Sequence, residues 1–246
     1  PGAEPEEFAA AQSEGALRSL IAKSVAGLSP KEIGARAKEL LAAREIRANL
    51  ARLAAVGAEA RYRALDARDA AAVKALVEET VKDFGPVRGI VHGAGVLADK
   101  SILDKTPAML DAVLDTKLSG LRHLLNAVDL FDLRLLALFS SSTARYGRVG
   151  QSDYGVANEA LNKAAQVLAA RLPECRVVSL GWGPWDGGMV DANLKKLFAS
   201  EGVGVIPLAA GGEHFVSELR GCGPAETVVL AELHGAKAAL PVSFER

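Results

Sequence analysis

The chain has 246 residues, which is enough for one sizeable core or for one domain with an extension. Half of the residues are hydrophobic and the net charge is -1, because 29 lysines and arginines face 30 carboxylates. This balance argues against nucleic acid and against an anionic membrane as partners. Cys175 and Cys222 form no motif with each other or with the histidines, so no metal site is predicted. No apolar run approaches the ~20 residues of a spanning helix and no signal pattern opens the chain, so we expect a cytoplasmic protein.

The amino-terminal region is predicted to be helical. Residues 1–28 are interpreted as an extension or insertion with one short helix. A long helix is expected to begin after Ser29, with Pro30 in its first turn, and to end at Gly57. Its apolar residues recur at helical spacing, which is typical of a packing role.

Residues 58–65 alternate enough to predict a strand that ends at Asp66. An acidic residue at such a position in a nucleotide-binding fold can bond a base amino group. The alternative is that Asp66 caps the helix predicted for 69–81. The sequence favours neither reading.

The next predicted strand, 86–91, runs into a glycine turn formed by His92, Gly93, Ala94 and Gly95. Two glycines permit a ligand to approach the backbone closely. A lone Gly-x-Gly is weak evidence, and the histidine, with no acidic or serine partner set by spacing, is interpreted as structural rather than catalytic.

A long helix is predicted for residues 103–128, with Lys117 in its middle. A lysine on a helix is usually a solvated surface residue. Only proximity to another reactive group would give this lysine a chemical role.

The most informative stretch follows the strand predicted for 133–139. Ser141 lies at the carboxyl end of that strand, where an open α/β sheet presents its ligand crevice. Tyr154 follows 13 positions later in the first turn of the next helix, and Asn158 lies one turn further on the same face. A hydroxyl, a phenol and an amide can therefore converge to polarise a carbonyl and to protonate its oxygen.

A strand predicted for 175–180 ends in the segment from Gly181 to Trp185, which forms either a pocket wall or an aromatic plug. A short helix at 191–200 is of the kind that closes over a ligand. A helix at 213–219, a strand at 226–232 and a linker at 235–246 complete the chain. Strands that alternate with helices predict an α/β fold, a doubly wound and mainly parallel Rossmann-type sheet covered on both faces.

The His-Gly-Ala-Gly turn, Lys117, the segment FSSS…GQSDYGVAN and the segment GWGPW together resemble the short-chain dehydrogenase/reductase superfamily. The resemblance covers about residues 35–232 and is strongest to the ketoreductase domains of modular polyketide synthases and polyunsaturated fatty acid synthases. Most of the superfamily carries a lysine four residues after the tyrosine and an asparagine in the preceding long helix. In polyketide-type ketoreductases the two have traded places, as Asn158 and Lys117 have here.

The resemblance implies reduction of a 3-oxoacyl thioester, carried on an acyl carrier protein, by hydride from NADPH. Ser141 would bond the substrate carbonyl, Tyr154 would protonate the alkoxide, and Asn158 would orient the lysine or a water relay. Lys117 would lower the pKa of the phenol. The implied cofactor-binding residues are Asp66, His92, Gly93, Ala94, Gly95, Gly183 and Pro184. The implied substrate-pocket residues are Asp99, Ser142, Gln151, Trp185 and Met189.

The resemblance also bears on stereochemistry. B-type polyketide ketoreductases carry a Leu-Asp-Asp signature after the glycine turn, and the segment from Leu97 to Asp99 keeps its second aspartate. The tryptophan of A-type enzymes is replaced by Tyr146. The pattern favours a B-type, R-configured product.

One departure from the family is larger than any substitution. No Gly-x-Gly-x-x-Gly occurs, and no strand, phosphate-binding turn and helix precede residues 58–65. In the usual strand order, 3-2-1-4-5-6, the strands at 58–65 and 86–91 would have open edges, which are prone to aggregation. We therefore expect a sheet incomplete at its amino-terminal edge, completed by an upstream segment or a second chain.

Three functions remain possible at this point, of which a free-standing dehydrogenase of small alcohols ranks last, because it would predict a lysine at position 158. Residues 29–234 are predicted to form a catalytic ketoreductase domain that works beside neighbouring synthase domains. The alternative is a structural or docking subdomain that keeps the fold without turnover. The complete set of serine, tyrosine, asparagine and lysine favours the enzyme.

Overall fold

The structure is a computed structural model that describes residues 2, 4–188, 190 and 192–231. Its helices are α1 (Glu6–Ala9), α2 (Glu14–Ser24), α3 (Pro30–Ala55), α4 (Ala70–Phe84), α5 (Pro107–Leu114), α6 (Gly120–Ala127), α7 (Thr143–Tyr146), α8 (Ser152–Arg171), α9 (Ala192–Ser200) and α10 (Leu208–Arg220). Its strands are β1 (Gly89–His92), β2 (Leu135–Ser141), β3 (Arg176–Trp182) and β4 (Glu226–Val229).

The four strands form one parallel sheet in the order β1-β2-β3-β4. Alternate residues of β2 face opposite sides, because side chains along a strand have a period of two. Leu136 and Leu138 pack into a core with residues of α6 and α8. Ala137 and Phe139 pack into a second core that includes Phe215 of α10. The predicted α/β architecture, a parallel sheet between helical layers, is confirmed.

The strand predicted for residues 58–65 is wrong, because these residues have no regular secondary structure. An isolated strand has no ladder of hydrogen bonds, and the described sheet ends at β1, which pairs only with β2. The edge residue Val91 is 52% exposed. An alternating pattern therefore did not suffice to form a strand where the described residues provide no neighbouring strand.

The chain divides into two compact units, residues 1–64 and 65–246. In the first, α2 and α3 enclose a small core that includes Phe8, Leu17 and Ile21. A capping box joins Ser29 and Glu32 at the start of α3, as its sequence predicts. The predicted boundary after residue 28 differs from this division, because the amino-terminal helices share their core with α3.

The continuous helix predicted for 103–128 is also wrong. Residues Ile102–Asp104 form a 3-10 turn, α5 starts at Pro107, and a π-helical turn over Asp115–Ser119 separates α5 from α6. Thr106 caps α5 through the backbone N–H of Met109. A wide turn of this kind is rare and often lies at a functional site, and this one carries Lys117.

The carboxyl-terminal predictions are partly accurate. Helix α10 is longer than the predicted 213–219, β4 is shorter than 226–232, and α9 agrees with the predicted helix at 191–200. The predicted linker at 235–246 lies outside the described residues. Among the described helices, none combines the length and the apolar character needed to cross a bilayer.

Two adjacent glycines of α10 make a matched test of packing against the sheet end. A Cβ at Gly211 would lie 2.4 Å from two ring atoms of Trp185, whereas a Cβ at Gly212 would meet nothing within 4 Å. We expect Gly211→Ala to lower the free energy of unfolding by roughly 1–3 kcal/mol through overpacking. Gly212→Ala should leave it unchanged or raise it by up to about 1 kcal/mol, because alanine favours the helix.

Urea unfolding of the two variants measures both effects. Equal stability of the two alanine variants would contradict the close packing of α10 on Trp185.

Candidate active site

The candidate site lies at the carboxyl edge of the sheet. Because β1, β2 and β3 are parallel, their last residues His92, Ser141 and Trp182 lie at this one edge. Helix α8 packs against β2 and β3 and begins beside this edge. Tyr154 is in its first turn. The ends of the strands and the first turn of α8 therefore lie at the same edge of the sheet.

Lys117 reaches this edge from the π-helical turn. The residue is only 2% exposed, and its Nζ donates a hydrogen bond of 2.9 Å to the carbonyl of Phe139 in β2. The same Nζ lies 5.5 Å from the centroid of the Tyr154 ring. The lysine is thus a buried neighbour of the tyrosine and not the solvated surface residue that is usual on a helix.

Two residues of the glycine turn hold Lys117 in place. The carbonyl of Lys117 can only accept, so His92 Nε2 donates the 2.8 Å hydrogen bond that joins them. A Cβ at Gly95 would lie 3.3 Å from Cε and 3.4 Å from Nζ of the lysine. The histidine therefore fixes the π-helical turn to the end of β1, and the glycine permits the close passage of the lysine side chain. Cofactor-binding roles for the residues of this turn stay predictions.

Burial controls the charges of the pair. It lowers the pKa of Lys117 to about 8, because the ammonium is removed from water. Burial also raises the pKa of Tyr154. A hydrogen bond with Asn158 lowers this pKa, and the negative charge of Asp99 raises it further. The net shift of the Tyr154 pKa is opposite to the lowering expected from the lysine, because desolvation is the largest contribution.

Asn158 is completely buried one turn after the tyrosine. Its side-chain Nδ2 donates a 2.8 Å hydrogen bond to the backbone carbonyl of Tyr154. The backbone carbonyl of Asn158 accepts a 3.1 Å hydrogen bond from the Ser140 hydroxyl. Its Oδ1 is buried and has no hydrogen-bond partner among the described residues. Such an acceptor is costly unless a donor reaches it, so this oxygen is open to a further donor.

Ser141 is connected to two predicted pocket residues through Thr143, which sequence reasoning missed. Ser141 Oγ lies 3.0 Å from Thr143 Oγ1, which lies 3.3 Å from Gln151 Oε1. Gln151 Nε2 donates 2.8 Å to Asp99. Since an amide oxygen only accepts, Thr143 donates to Gln151 and its oxygen is left to accept from Ser141.

Asp66 does not cap helix α4, so that alternative is wrong. The cap is Asp69, which accepts from the backbone N–H groups of Ala71 and Ala72. Asp66 instead forms a 2.6 Å ion pair with Arg68, whose hydrogen bonds hold the pKa of the carboxyl at about 2. A role for Asp66 toward a base stays a prediction.

The tryptophan segment packs over the sheet end. Trp182 is 4% exposed and meets the half-buried Trp185 edge to face, with ring centroids 4.7 Å apart. A Cβ at Gly183 would lie 3.3 Å from the Val229 carbonyl, and the Pro184 carbonyl accepts from Ile206 N–H at 2.7 Å. The burial and packing of Trp182 fit the interpretation of this segment as an aromatic plug over the sheet end. Binding roles for Gly183, Pro184 and Trp185 stay predictions.

The other predicted pocket residues differ in what surrounds them. Ser142 donates its backbone N–H to the Trp182 carbonyl at 2.9 Å, which ties it to the end of β3. Met189 lies outside the described residues. Helix α9 is held near the loop before α8, because the guanidinium of Arg148 stacks 4.7 Å from the Phe198 ring centroid and pairs with Glu201.

A dinucleotide would find part of its site in these residues. The hydroxyls of Ser141 and Tyr154, the buried acceptor of Asn158 and the open backbone at Gly93 suit the reactive end of a nicotinamide cofactor. A Gly-x-Gly-x-x-Gly turn for the pyrophosphate does not occur in the sequence. The chemistry of these residues thus fits the reactive end of such a cofactor, whereas the sequence offers no motif of this type for its phosphates.

Comparison with known proteins places this site in a family. The family model described as the KR domain matches residues 14–187. The chain is 44% identical over 202 residues to a polyunsaturated fatty acid synthase protein of Thraustochytrium sp., covering 82% of this chain and 7% of that protein. It is 38% identical over 141 residues to polyketide synthase GfsA of Streptomyces halstedii, covering 57% and 2%. The chain therefore spans less than a tenth of these relatives.

Solved structures agree with the family model. An N-terminal ketoreductase from the macrolactin assembly line has a TM-score of 0.67 at 27% identity, over 76% of this chain and 37% of that one. A ketoreductase domain from the bacillaene assembly line has a TM-score of 0.65 at 31% identity, over 75% and 46%. The chain belongs to the KR domain family, the ketoreductase domains of polyketide and polyunsaturated fatty acid synthases.

Proposed function

We propose that this chain reduces a 3-oxoacyl thioester, carried on an acyl carrier protein, to the 3-hydroxyacyl thioester, with Tyr154 as the proton donor. NADPH, when bound, supplies the hydride to the ketone carbon. The proton completes the alcohol, so one hydride and one proton are added to the carbonyl.

The observation that carries this proposal is the burial of Lys117 beside Tyr154. Removing an ammonium from water is costly unless a carboxylate compensates it. In the described part of the chain no ion pair joins Lys117 to a carboxylate, and burial alone accounts for the change in its pKa. A structural subdomain without turnover would gain nothing from this cost, whereas a phenol that must lose a proton gains a stabilised phenolate.

The contacts of the other site residues support a role for each of them in the reaction. Ser141 turns its hydroxyl from Thr143 to the substrate carbonyl, while the backbone N–H of Thr143, which donates 3.2 Å to the serine oxygen, keeps that oxygen in place. Tyr154 gives its phenolic proton to the developing alkoxide. Lys117 faces the phenolate that results, and the unpaired Oδ1 of Asn158 accepts from the lysine or from a water that returns a proton.

The partners follow from the family. The relatives are named as synthases and are many times longer than this chain, which supports a carrier protein and neighbouring synthase domains as partners. The open edge at β1 is completed by an upstream segment or by a second chain that brings the phosphate-binding turn. Asp99 and Tyr146 support the B-type product.

Replacing the proton donor gives the first functional test. Tyr154→Phe should reduce turnover at least about 100-fold, because it removes the phenolic hydroxyl that donates the proton and keeps the ring. The measurement is oxidation of NADPH with a 3-oxoacyl thioester surrogate, in a polypeptide that includes the phosphate-binding unit.

The matched control is Tyr62→Phe, since Tyr62 is 42% exposed and has no role in the proposed site, and it should keep normal turnover. Substantial turnover by the Tyr154 variant would contradict the proton-donor assignment. Cofactor binding without any turnover in the unmodified protein would favour the structural alternative.

The pH profile tests the role of Lys117. The charged amine is lost as pH rises through about 8, so the rate of reduction should fall on that side. Lys117→Met should be slower throughout, and its alkaline decline should move upward toward the raised pKa of Tyr154. Lys163→Met, which removes an exposed lysine of α8, should keep the normal profile. An unchanged alkaline decline in the Lys117 variant would refute the assignment.

Stability should respond to Lys117 in the opposite direction to activity. In the folded state the pKa of Lys117 is about 8, whereas in the unfolded chain it is near 10.5. The buried ammonium therefore lowers the free energy of unfolding by its full amount below pH 8, and this destabilisation disappears as pH rises toward 10.5. Lys117→Met should raise the free energy of unfolding at pH 7 by about 1–2 kcal/mol, after loss of the hydrogen bond to Phe139. Urea unfolding at pH 7 and pH 9 should show the advantage shrinking. A less stable variant at pH 7 would argue against a costly buried charge.

A further inference from the structure

Two loops that carry predicted site residues are fastened to each other. The first follows β1 and contains the glycine turn and Asp99, and the second leads into α8. The backbone N–H of Lys100 donates 3.1 Å to the Gly150 carbonyl, and Gln151 Nε2 donates 2.8 Å to Asp99. A third contact, between Lys105 and Asp153, is different in kind because it is ionic.

The Lys105–Asp153 pair is buried. Its Nζ and Oδ1 atoms are 2.8 Å apart, and the two side chains are only 10% and 0% exposed. The same amine donates 2.9 Å to the carbonyl of Ala98, the residue before Asp99. One ammonium therefore holds the loop after β1 and the first turn of α8 together.

Asp153 connects the ion pair to the backbone of Tyr154. Its Oδ1 also accepts a 2.8 Å hydrogen bond from the backbone N–H of Tyr154. Its Oδ2 is buried and has no hydrogen-bond partner among the described residues. The carboxylate depends on Lys105 for compensation, since a buried charge that loses its partner is strongly destabilising.

We propose that Lys105 is a positioning residue for Tyr154, which acts through Asp153 and sets the first turn of α8 against the loop that carries Asp99. This proposal rests on the proposed function, because the importance of the position derives from the chemistry of the tyrosine. It goes beyond the roles already assigned, since neither Lys105 nor Asp153 takes part in the proton transfer.

The test compares four variants: Lys105→Met, Lys105→Arg, Asp153→Asn and the double variant Lys105→Met/Asp153→Asn. We expect Lys105→Met to lower kcat by about 10- to 100-fold with KM changed less than about 3-fold, because a displacement near 1 Å can cost that much rate. Lys105→Arg should recover much of the loss, since it retains a cation. Lys163→Met removes an exposed, ion-paired lysine of α8, the helix that carries Asp153, and should leave kcat unchanged.

The double variant separates positioning from stability. It removes both charges, so its unfolding midpoint should recover relative to either single change. Its kcat should stay low, because the ammonium that joins Ala98 to residue 153 is still missing, even if an amide oxygen at position 153 accepts from Tyr154 N–H. A double variant that regains normal kcat with its stability would overturn the proposal and leave the pair a structural one.

A second measurement does not need turnover. The sequence contains three tyrosines, so the ring resonances of Tyr154 can be assigned by their loss in Tyr154→Phe. They should shift in Lys105→Met and in the neutral double variant, and should be unchanged in Lys163→Met. Identical resonances in all of these proteins would overturn the positioning role even if the proposed reduction failed. Normal kcat in Lys105→Met, with turnover abolished by Tyr154→Phe, would overturn this role alone.

Discussion

The hydrogen bond from the buried ammonium of Lys117 to the carbonyl of Phe139 fixes the relation between the helical region and the sheet. A charged amine in an apolar interior must be held by an oxygen, and here the oxygen belongs to β2, two residues before Ser141. The position of the lysine is therefore set by the same strand that positions the serine. The tyrosine ring enters this arrangement from α8, which packs against that strand.

The π-helical turn explains how a lysine from a helix can reach the sheet edge. The backbone carbonyl of Lys117 accepts a hydrogen bond from His92, and the lysine side chain passes close to the backbone of Gly95. The glycine turn and the π-helical turn therefore constrain each other. Sites supported by helices and strands hold their geometry better than sites on free loops. This arrangement destabilises the local structure, because the Lys117 ammonium is removed from water and the Oδ1 of Asn158 lacks a partner among the described residues.

Sequence periodicity predicted the elements whose partners are present. The apolar runs of β2 and β3 and the capped helix α3 form as expected, because their burial and caps are local properties. Residues 58–65 fail because a strand depends on a neighbour, and helix 103–128 fails because periodicity does not reveal a π turn. The roles of Lys117 and Asn158 came from a family resemblance. Thr143 was missed because a hydrogen-bonded relay has no signature in spacing, although a hydroxyl two residues after Ser141 was a signal that could have been used.

The two buried lysines show how environment divides one residue type between two tasks. Lys105 lies against the carboxylate of Asp153, so its charge is compensated and it can hold two segments together. Among the described residues, Lys117 has only a neutral carbonyl as its bonded oxygen, so burial lowers its pKa to about 8 and it can respond to a proton nearby. Since both lie within reach of the first turn of α8, the paired lysine supplies placement and the unpaired one supplies a tunable charge. Compensation by a carboxylate, rather than burial itself, separates the two roles.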